Sequence, residues 1–452
     1  MSAPCSTSLG TERRSHRVEE LEAQYSPLRI FAWAALVGSG AGLVGALFRL
    51  LLRGFAQTRM TILGPVGSHE SPSLALSIGS TTLMTAAALF LVRRFAPEAS
   101  GSGVQEIEGA LDGVRPLRWK RVLPIKFVGG LLALGGGMVL GREGPTIQMG
   151  GSFGQMIADC GKLPLPVQRT LVAAGAGAGL AAAFNAPLAG VLFVLEEMRP
   201  QFKYTFTSVQ AVVIACATAD IVVRILTGQG PAISILTFKA PPLTSLWLFP
   251  LFGGVFGLLG FVYARLLVWT LDRFADLPGR AGGAAGPLVG AMIGFLAWLY
   301  PATVGGGDEL IPSILAIPMA ASSLLLLFAA RFGTSLVSYG CGAPGGIFAP
   351  MLALGTLFGM TYGHSVCALF PQLIADPGVF AVAGMGALFT ATVRAPITAV
   401  ALAIEITANY EQILPLLLTC AAATIVAELL GSKPIYSVLL ERTLAKAKAV
   451  SN

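Results

Sequence analysis

Charged side chains are scarce in this sequence. Of its 452 residues, only 12% are Asp, Glu, Lys or Arg, whereas 54% are hydrophobic and the mean hydropathy is +0.75. Because soluble globular domains carry about 25% charged residues, this composition excludes a soluble enzyme and a soluble binding module. It predicts an all-α integral membrane protein of about 18 helices, whose apolar segments cross the lipid bilayer many times.

The residue types that build most metal and disulfide sites are also few. The three histidines form no HExxH motif, and the six cysteines show no CxxC spacing. The apolar segments contain no Ser/His, Asp/Asp or metal-ligand constellation of the kind that catalysis requires. We therefore predict no metal site, no cofactor and no enzymatic activity.

The net charge of +7 is compatible with a nucleic-acid partner, but the distribution of the basic residues favours another explanation. They lie in short clusters between apolar segments, which is typical of the positive charges that orient a membrane protein. We predict that the partners are the lipid bilayer and ions, and that there is no nucleic-acid partner. The clusters are Arg13-Arg14, Arg93-Arg94, Arg118 to Arg121, and Lys446 with Lys448.

Glycine is abundant instead, with 55 residues, and it interrupts the apolar segments at three places. The sequence Gly141-Arg142-Glu143-Gly144-Pro145 puts an ionisable pair inside a very apolar region, where charge is expensive at membrane depth. Glycine and proline there predict a broken helix. We expect the Glu143 carboxylate to lie at the positive end of the half-helix that follows it.

Two further breaks, Gly101–Val104 and Gly345–Pro350, predict two more half-helices. Free N–H groups at helix starts bind anions through partial charges, so an ion can enter and also leave. The hydroxyls of Ser102 and Tyr436 could add donors. Glu143 would compete with a bound anion when ionised and release the site when protonated, which would couple proton movement to anion movement.

The two halves of the chain repeat one another. At an offset of about 205 positions, Gly141 falls on Gly346 and Pro145 on Pro350; at an offset of about 209, Glu196 falls on Glu405. Duplicated halves with interrupted helices predict a site between them near the middle of the membrane. Glu143 then lies opposite Phe348, and Glu197 opposite Ile406, so Glu197 is the carboxylate without a counterpart.

Each of these residues also has a plainer interpretation. Glu143 could pair with Arg142, Ser102 could belong to a turn, and Tyr436 could sit at the membrane interface. Glu196 and Glu197 could both be interface glutamates, although the counterpart Glu405 favours a structural role for Glu196. Glu108 and Lys126 are expected to form a buried structural charge pair, and glycines 175–179 to pack helices. A non-transporting membrane scaffold would not need Glu143 inside interrupted helices.

In combination, five motifs make the sequence similar to the CLC chloride channel and transporter family, and to its bacterial proton-coupled exchangers. They are residues 101–109 (GSGVQEIEG), 141–145 (GREGP), 345–350 (GGIFAP), 196–202 (EEMRPQF) and 433–436 (KPIY). The resemblance runs from about Leu28 to Leu444. It implies an inverted-repeat helical fold with interrupted half-helices, a homodimer with one pathway per subunit, and a bacterial inner-membrane location with both termini cytoplasmic.

The resemblance also implies a role for individual residues. Glu143 matches the gating glutamate and external proton acceptor, and Glu197 matches the glutamate that passes protons at the cytoplasmic side. The chloride-binding residues would be Ser102, Gly103, Ile347, Phe348 and Tyr436, and the filter motifs would include Gly101, Gly141, Arg142, Gly144, Pro145, Gly345 and Gly346. Since both carboxylates are present, an antiporter of chloride and protons is expected, with a passive chloride channel as the alternative.

One position departs from the family pattern. The filter motif usually contains proline where this chain has Gln105, which restores a backbone N–H and adds an amide. The expected organisation is a tail over residues 1–27, a transmembrane domain over 28–440 with repeats at about 28–226 and 245–440, and a tail over 441–452 without CBS domains. Leu28–Leu52 is expected to be the first apolar segment, and Gln57–Pro72 a more polar connection.

Overall fold

The structure, a computed structural model, describes residues 26–63, 74–198, 202, 204–233, 235–374 and 376–451. Over these residues it contains 17 α-helices and a few short 3₁₀ turns, but no β-strand. The helices of the first half are α1 (Pro27–Leu63), α2 (Leu74–Phe95), α3 (Val104–Leu111), α4 (Trp119–Gly135), α5 (Glu143–Cys160), α6 (Leu165–Phe184), α7 (Pro187–Glu196) and α8 (Phe206–Thr227).

The second half repeats this pattern of long and short helices. It contains α9 (Leu248–Ala275), α10 (Gly279–Leu299), α11 (Leu310–Ala316), α12 (Ala321–Gly340), α13 (Phe348–Leu369), α14 (Gly378–Val393), α15 (Pro396–Thr407), α16 (Ile413–Leu429) and α17 (Ile435–Ser451). The predicted all-α, inverted-repeat architecture is confirmed. The repeat boundaries at 28–226 and 245–440 remain a prediction.

Among the described residues, eight helices are long and apolar enough to cross a membrane. Their outward surfaces carry large apolar side chains, such as Leu83, Phe90 and Leu326, which are 71%, 63% and 74% exposed. Surfaces of this kind are stable against lipid tails and would be costly in water. The chain is therefore a multi-pass membrane protein.

The first helix is longer than expected. It continues past Leu52 to Leu63, so the polar connection expected at Gln57–Pro72 is helical over its first part. The helix continues through these polar residues because the Gly64-Pro65 pair, which disfavours a helix, follows only after Leu63. Residues 64–73, and the tail expected over residues 1–27 except for its last two positions, lie outside the described residues.

Glycines pack the central helices of both halves at equivalent places. A side chain at Gly150 would overlap the carbonyl of Gly175, and one at Gly355 would overlap the carbonyl of Gly384. These positions are related by the two sequence offsets. The prediction that the glycines of residues 175–179 pack helices is confirmed, and close backbone approach explains why glycine is required.

The two halves also exchange a reciprocal contact between α7 and α15. Glu196 accepts the N–H groups of Ile397 (3.0 Å) and Thr398 (2.7 Å) at the start of α15. Glu405 accepts those of Leu188 (3.0 Å) and Ala189 (2.7 Å) at the start of α7. Each carboxylate thus satisfies the free donors of the other half's helix. The predicted structural role of Glu196 is confirmed, whereas its position relative to the membrane interface stays a prediction.

Candidate functional site

Three glycine segments meet at the centre of the molecule and are joined by backbone hydrogen bonds. Gly141 and Gly346 form an antiparallel bridge, with N–H to O distances of 2.8 and 2.7 Å. The N–H of Gly345 donates to the carbonyl of Gly101 at 3.0 Å. Helices α3, α5 and α13 each begin within three residues of one of these segments. The three predicted breaks therefore bring three helix starts together.

Lys126 stabilises the glycine segment that contains Gly101. Its Nζ is fully buried and donates to the carbonyls of Ala99 (3.0 Å) and Gly101 (2.6 Å). The expected Glu108–Lys126 charge pair is therefore wrong. The ammonium group instead donates to two buried carbonyls. That of Ala99 accepts no other hydrogen bond from a described residue, whereas that of Gly101 also accepts the N–H of Gly345. The Oε2 atom of Glu108 makes no hydrogen bond to a described residue.

Glu143 is fully buried, and its carboxylate reaches across to the other half of the protein. The N–H of Ala349, in the first turn of α13, donates to Oε1 at 3.1 Å. We expected the carboxylate at the start of its own helix, α5. It begins that helix and interacts with its own backbone N–H, as expected, and it also binds the positive end of α13, because the Gly141–Gly346 bridge places the two helix starts side by side.

Glycine is required around this carboxylate. A Cβ at Gly141 would overlap the Glu143 carboxyl group, and a Cβ at Gly346 would lie 2.6 Å from its Oε1. A Cβ at Gly144 would lie 2.6 Å from Oγ of Ser102. The three filter glycines thus leave only enough room for the carboxylate and a hydroxyl group.

Ser102, Phe348 and Tyr436 surround the same point and are all fully buried. The rings of Phe348 and Tyr436 lie 5.9 Å apart, centroid to centroid. The hydroxyls of Ser102 and Tyr436 lie near one another, yet neither makes a well-aligned hydrogen bond to a described residue. Two free hydroxyl donors beside helix starts form an arrangement that can hold an anion.

The remaining filter residues lie at the edges of this group. Ile347 directly precedes α13 and is buried, and Gly103 precedes α3 with a φ of +87° that favours glycine. Pro145 lies in the first turn of α5. Tyr339 was not predicted, although its hydroxyl accepts the N–H of Ser102 at 3.3 Å. Nothing in its sequence context distinguishes Tyr339 from the other tyrosines of apolar helices.

Arg142 points away from Glu143. Its Nη1 forms an ion pair with Asp308 at 3.1 Å, and its Nε donates to the carbonyl of Ala183. The alternative of an Arg142–Glu143 pair is therefore wrong. Arg142 and Asp308 line a cavity of about 340 Å³, the Asp308 vestibule, whose wall also includes Arg49, Arg59 and Ala349. The run Gly305–Gly307 before Asp308 was a signal for this loop.

A second cavity of about 460 Å³, the Gln105 vestibule, reaches the same filter from another direction. Gly101, Gln105 and Tyr339 line it, together with Arg115 and Arg442. The two vestibules contact different filter residues, Gly101 in one case and Gly141 in the other. The site is therefore approached by two separate cavities.

Glu197 lies apart from the filter, at the end of α7. It is 8% exposed, and its Oε1 has no hydrogen-bond partner among the described residues. It interacts electrostatically with Glu108, Glu196 and Tyr436. Tyr436 in turn interacts electrostatically with Glu143, so the tyrosine interacts with both carboxylates.

The fold and the site define an inverted-repeat, multi-pass membrane protein with an enclosed site at the starts of three helices. Residues 83–428 match the family described as voltage gated chloride channel, and the chain belongs to this family. It is 50% identical over 433 residues to the H(+)/Cl(-) exchange transporter ClcA of Vibrio cholerae, covering 95% of this chain and 92% of that protein. The corresponding protein of Klebsiella pneumoniae is 46% identical over 442 residues, covering 97% and 94%.

The solved structures agree with these sequence relatives. The chain superposes on a slow cyanobacterial Cl-/H+ antiporter with a TM-score of 0.88 and 46% identity. The superposition covers 92% of this chain and 98% of that chain. The resemblance stated from the motifs is confirmed.

Proposed function

We propose that this protein is an antiporter that moves chloride and protons in opposite directions across the membrane, without chemical conversion of a substrate and without a cofactor. The observation that carries the proposal is the position of the Glu143 carboxylate. A carboxylate bound to the N–H of Ala349 occupies a place that suits any small anion. Relatives over nearly the whole chain are named as H(+)/Cl(-) exchange transporters, which supports the same function.

Competition between two anions for one place provides the coupling. While Glu143 is ionised and bound to α13, chloride cannot occupy that position. When Glu143 takes up a proton, its attraction to the helix start falls and chloride replaces it. Ser102 and Tyr436 then hold the ion by neutral hydroxyl donors, with Gly103, Ile347 and Phe348 completing the wall. Partial charges bind chloride weakly enough for it to leave, whereas a lysine or arginine would hold it.

Protons need a second acceptor if they reach Glu143 from the cytoplasmic side by a route other than that of chloride. We assign this role to Glu197, which is buried and has a free oxygen. Its position directly after α7 would separate the proton route from the chloride route on one side of the membrane. Glu143 would serve both routes on the other side.

The proposed setting is the bacterial inner membrane, with both termini in the cytoplasm. Four arginines line each vestibule, but the Gln105 vestibule is also lined by Arg442 of the C-terminal helix α17. That helix carries the basic cluster of Lys446 and Lys448, and basic clusters concentrate on the cytoplasmic side of membrane proteins. This vestibule would therefore open to the cytoplasm and the Asp308 vestibule to the outside. Reporter fusions to each terminus test the orientation.

The protein is proposed to act as a homodimer. Leu188 and Ile397 are 55% and 56% exposed and lie beside the reciprocal Glu196 and Glu405 contacts. A two-fold contact between copies would cover these apolar side chains from both repeats. Cross-linking of single cysteines at Leu188 tests this assembly.

Proton movement driven by chloride in liposomes is the decisive experiment. Liposomes loaded with high chloride are placed in low chloride at equal pH, with potassium and valinomycin to limit the membrane voltage. Chloride that leaves should draw protons inward and make the outside alkaline, even against a small opposing proton gradient. Glu143→Ala should abolish proton movement while chloride still flows, and Glu197→Gln should do the same by removing the second proton acceptor.

The alternative function, a passive chloride channel, predicts a different result. Chloride would then leave the wild-type liposomes without any change in external pH. That outcome would contradict both the antiport mechanism and the role of Glu197. Chloride flux through Glu143→Ala shows that the variant is folded, so a loss of proton movement alone cannot come from misfolding.

A further inference from the structure

Gln105 is a buried amide that no other part of the described protein satisfies. The side chain is 8% exposed, and its Oε1 atom has no hydrogen-bond partner among the described residues. No hydrogen bond from its Nε2 to these residues is present either. Buried amides are normally paired, because an unpaired one loses its bonds to water without replacement. The amide is therefore available to an ion or to water that enters the cavity.

The backbone of Gln105 presents a second unused donor. Gln105 is the second residue of α3, so its backbone N–H has no partner within the helix. This N–H donates to no described carbonyl. Gln105 lines the Gln105 vestibule, and neither its backbone N–H nor its Nε2 donates to a described residue. The O and N atoms of the amide exchange by a half-turn of the side chain, so the NH₂ group can face an anion in the cavity.

The cations around the vestibule are already neutralised. Arg115 pairs with Glu106 through two hydrogen bonds of 3.0 and 3.1 Å. Arg121 pairs with Glu98 at 2.7 Å, and Arg442 with Asp272 at 2.6 Å. Arg118 has no such partner among the described residues, but it is exposed at the rim. An anion deep in this cavity thus meets neutral donors rather than full positive charges.

We propose that Gln105 is a specificity-determining residue of the anion pathway, and that its amide and backbone N–H favour planar oxyanions of the nitrate class over chloride. Neutral donors compensate less for lost hydration than full charges do, so they favour the more weakly hydrated anion. An oxyanion also offers several oxygens to two separate, directional donors, whereas chloride offers one centre. This inference rests on the proposed function, because it assigns the vestibule to the anion route.

Anion binding to three variants tests the proposal. Titration calorimetry of the purified protein in detergent would give the dissociation constants for nitrate and for chloride. Gln105→Ala removes the amide and keeps the N–H, and the preference for nitrate relative to chloride should fall about two- to tenfold, the contribution of one neutral hydrogen bond. Gln105→Pro removes both donors and should lower this preference further. Gln155→Ala, in which the lost amide bonds Asp159, is the matched control and should match wild type.

The outcomes separate this proposal from the proposed function. A nitrate preference equal to that of wild type in both Gln105 variants overturns the role of Gln105, whatever the transport assay shows. If Gln105→Pro fails to fold, Gln105→Ala alone decides, since alanine is compatible with the first turn of a helix. Chloride flux without proton movement would overturn the antiporter, while the two dissociation constants would still measure the selectivity of Gln105.

Discussion

Replacing Gly141 with alanine should dislodge Glu143 without removing it. The added methyl group would overlap the carboxyl group of Glu143, and its three nearest neighbours are all atoms of that flexible side chain. The backbone bridge to Gly346 can remain, since Gly141 is not in the left-handed region. The carboxylate would then lose the N–H of Ala349, a charge-assisted hydrogen bond that contributes about 1.5–3 kcal/mol.

This loss would decrease the equilibrium ratio of bound to displaced Glu143 carboxylate by about 10- to 100-fold, since about 1.4 kcal/mol is a factor of ten. Chloride should then bind to Gly141→Ala more tightly than to wild type, approaching its affinity for Glu143→Ala. Proton movement per chloride should fall, because the carboxylate no longer alternates with the ion. Titration calorimetry with chloride and the liposome pH assay measure the two effects.

The matched control is Gly79→Ala on α2, where a new Cβ meets nothing within 4 Å. It should leave chloride affinity and proton coupling unchanged. If a folded Gly141→Ala protein shows wild-type values for both quantities, then the carboxylate does not hold the site closed in the way the geometry indicates. The proposed competition between Glu143 and chloride would have to be abandoned.

Two further predictions concern stability, measured as melting temperature in detergent. Lys126→Met leaves the buried carbonyl of Ala99 without a donor, while that of Gly101 keeps the N–H of Gly345, so it should destabilise the protein by about 1–3 kcal/mol; an unchanged melting temperature would show that water replaces the ammonium group. Glu196→Gln and Glu405→Gln should each lower the melting temperature by a similar amount, because each weakens charge-assisted bonds to a helix start that contribute about 1–2 kcal/mol. The exposed Glu441→Gln is their control, and equal melting temperatures for all three would contradict the reciprocal contact.

The sequence could predict the helix breaks and the repeat because both depend on local composition. Gly141 and Pro145 limit the backbone wherever they occur, and matching prolines and glycines at a constant offset indicate duplication without any knowledge of contacts. The starts of α5 and α13 accordingly fall on Glu143 and Phe348, one offset apart. Residue type and spacing were sufficient for these features.

The partners of the charged residues could not be predicted in the same way. The sequence favours a Lys126–Glu108 pair and allows an Arg142–Glu143 pair, but Lys126 binds two carbonyls and Arg142 pairs with Asp308. Each true partner lies on a segment whose position is set by tertiary packing. Proximity in sequence is a poor guide to such pairs, because a buried charge binds whatever donors or acceptors the fold brings to it.

The two-fold relation between the halves separates structural carboxylates from functional ones. Glu196 and Glu405 occupy equivalent positions and perform the same task on each other's helices, so their pairing stabilises the fold symmetrically. Glu143 faces a helix that begins with Phe348, and Glu197 corresponds to Ile406, so neither has an acidic counterpart. In the proposed mechanism these two unmatched carboxylates are the proton acceptors. The duplicated frame therefore supplies the helix starts, and the positions at which the two halves differ supply the groups that the proposed proton route uses.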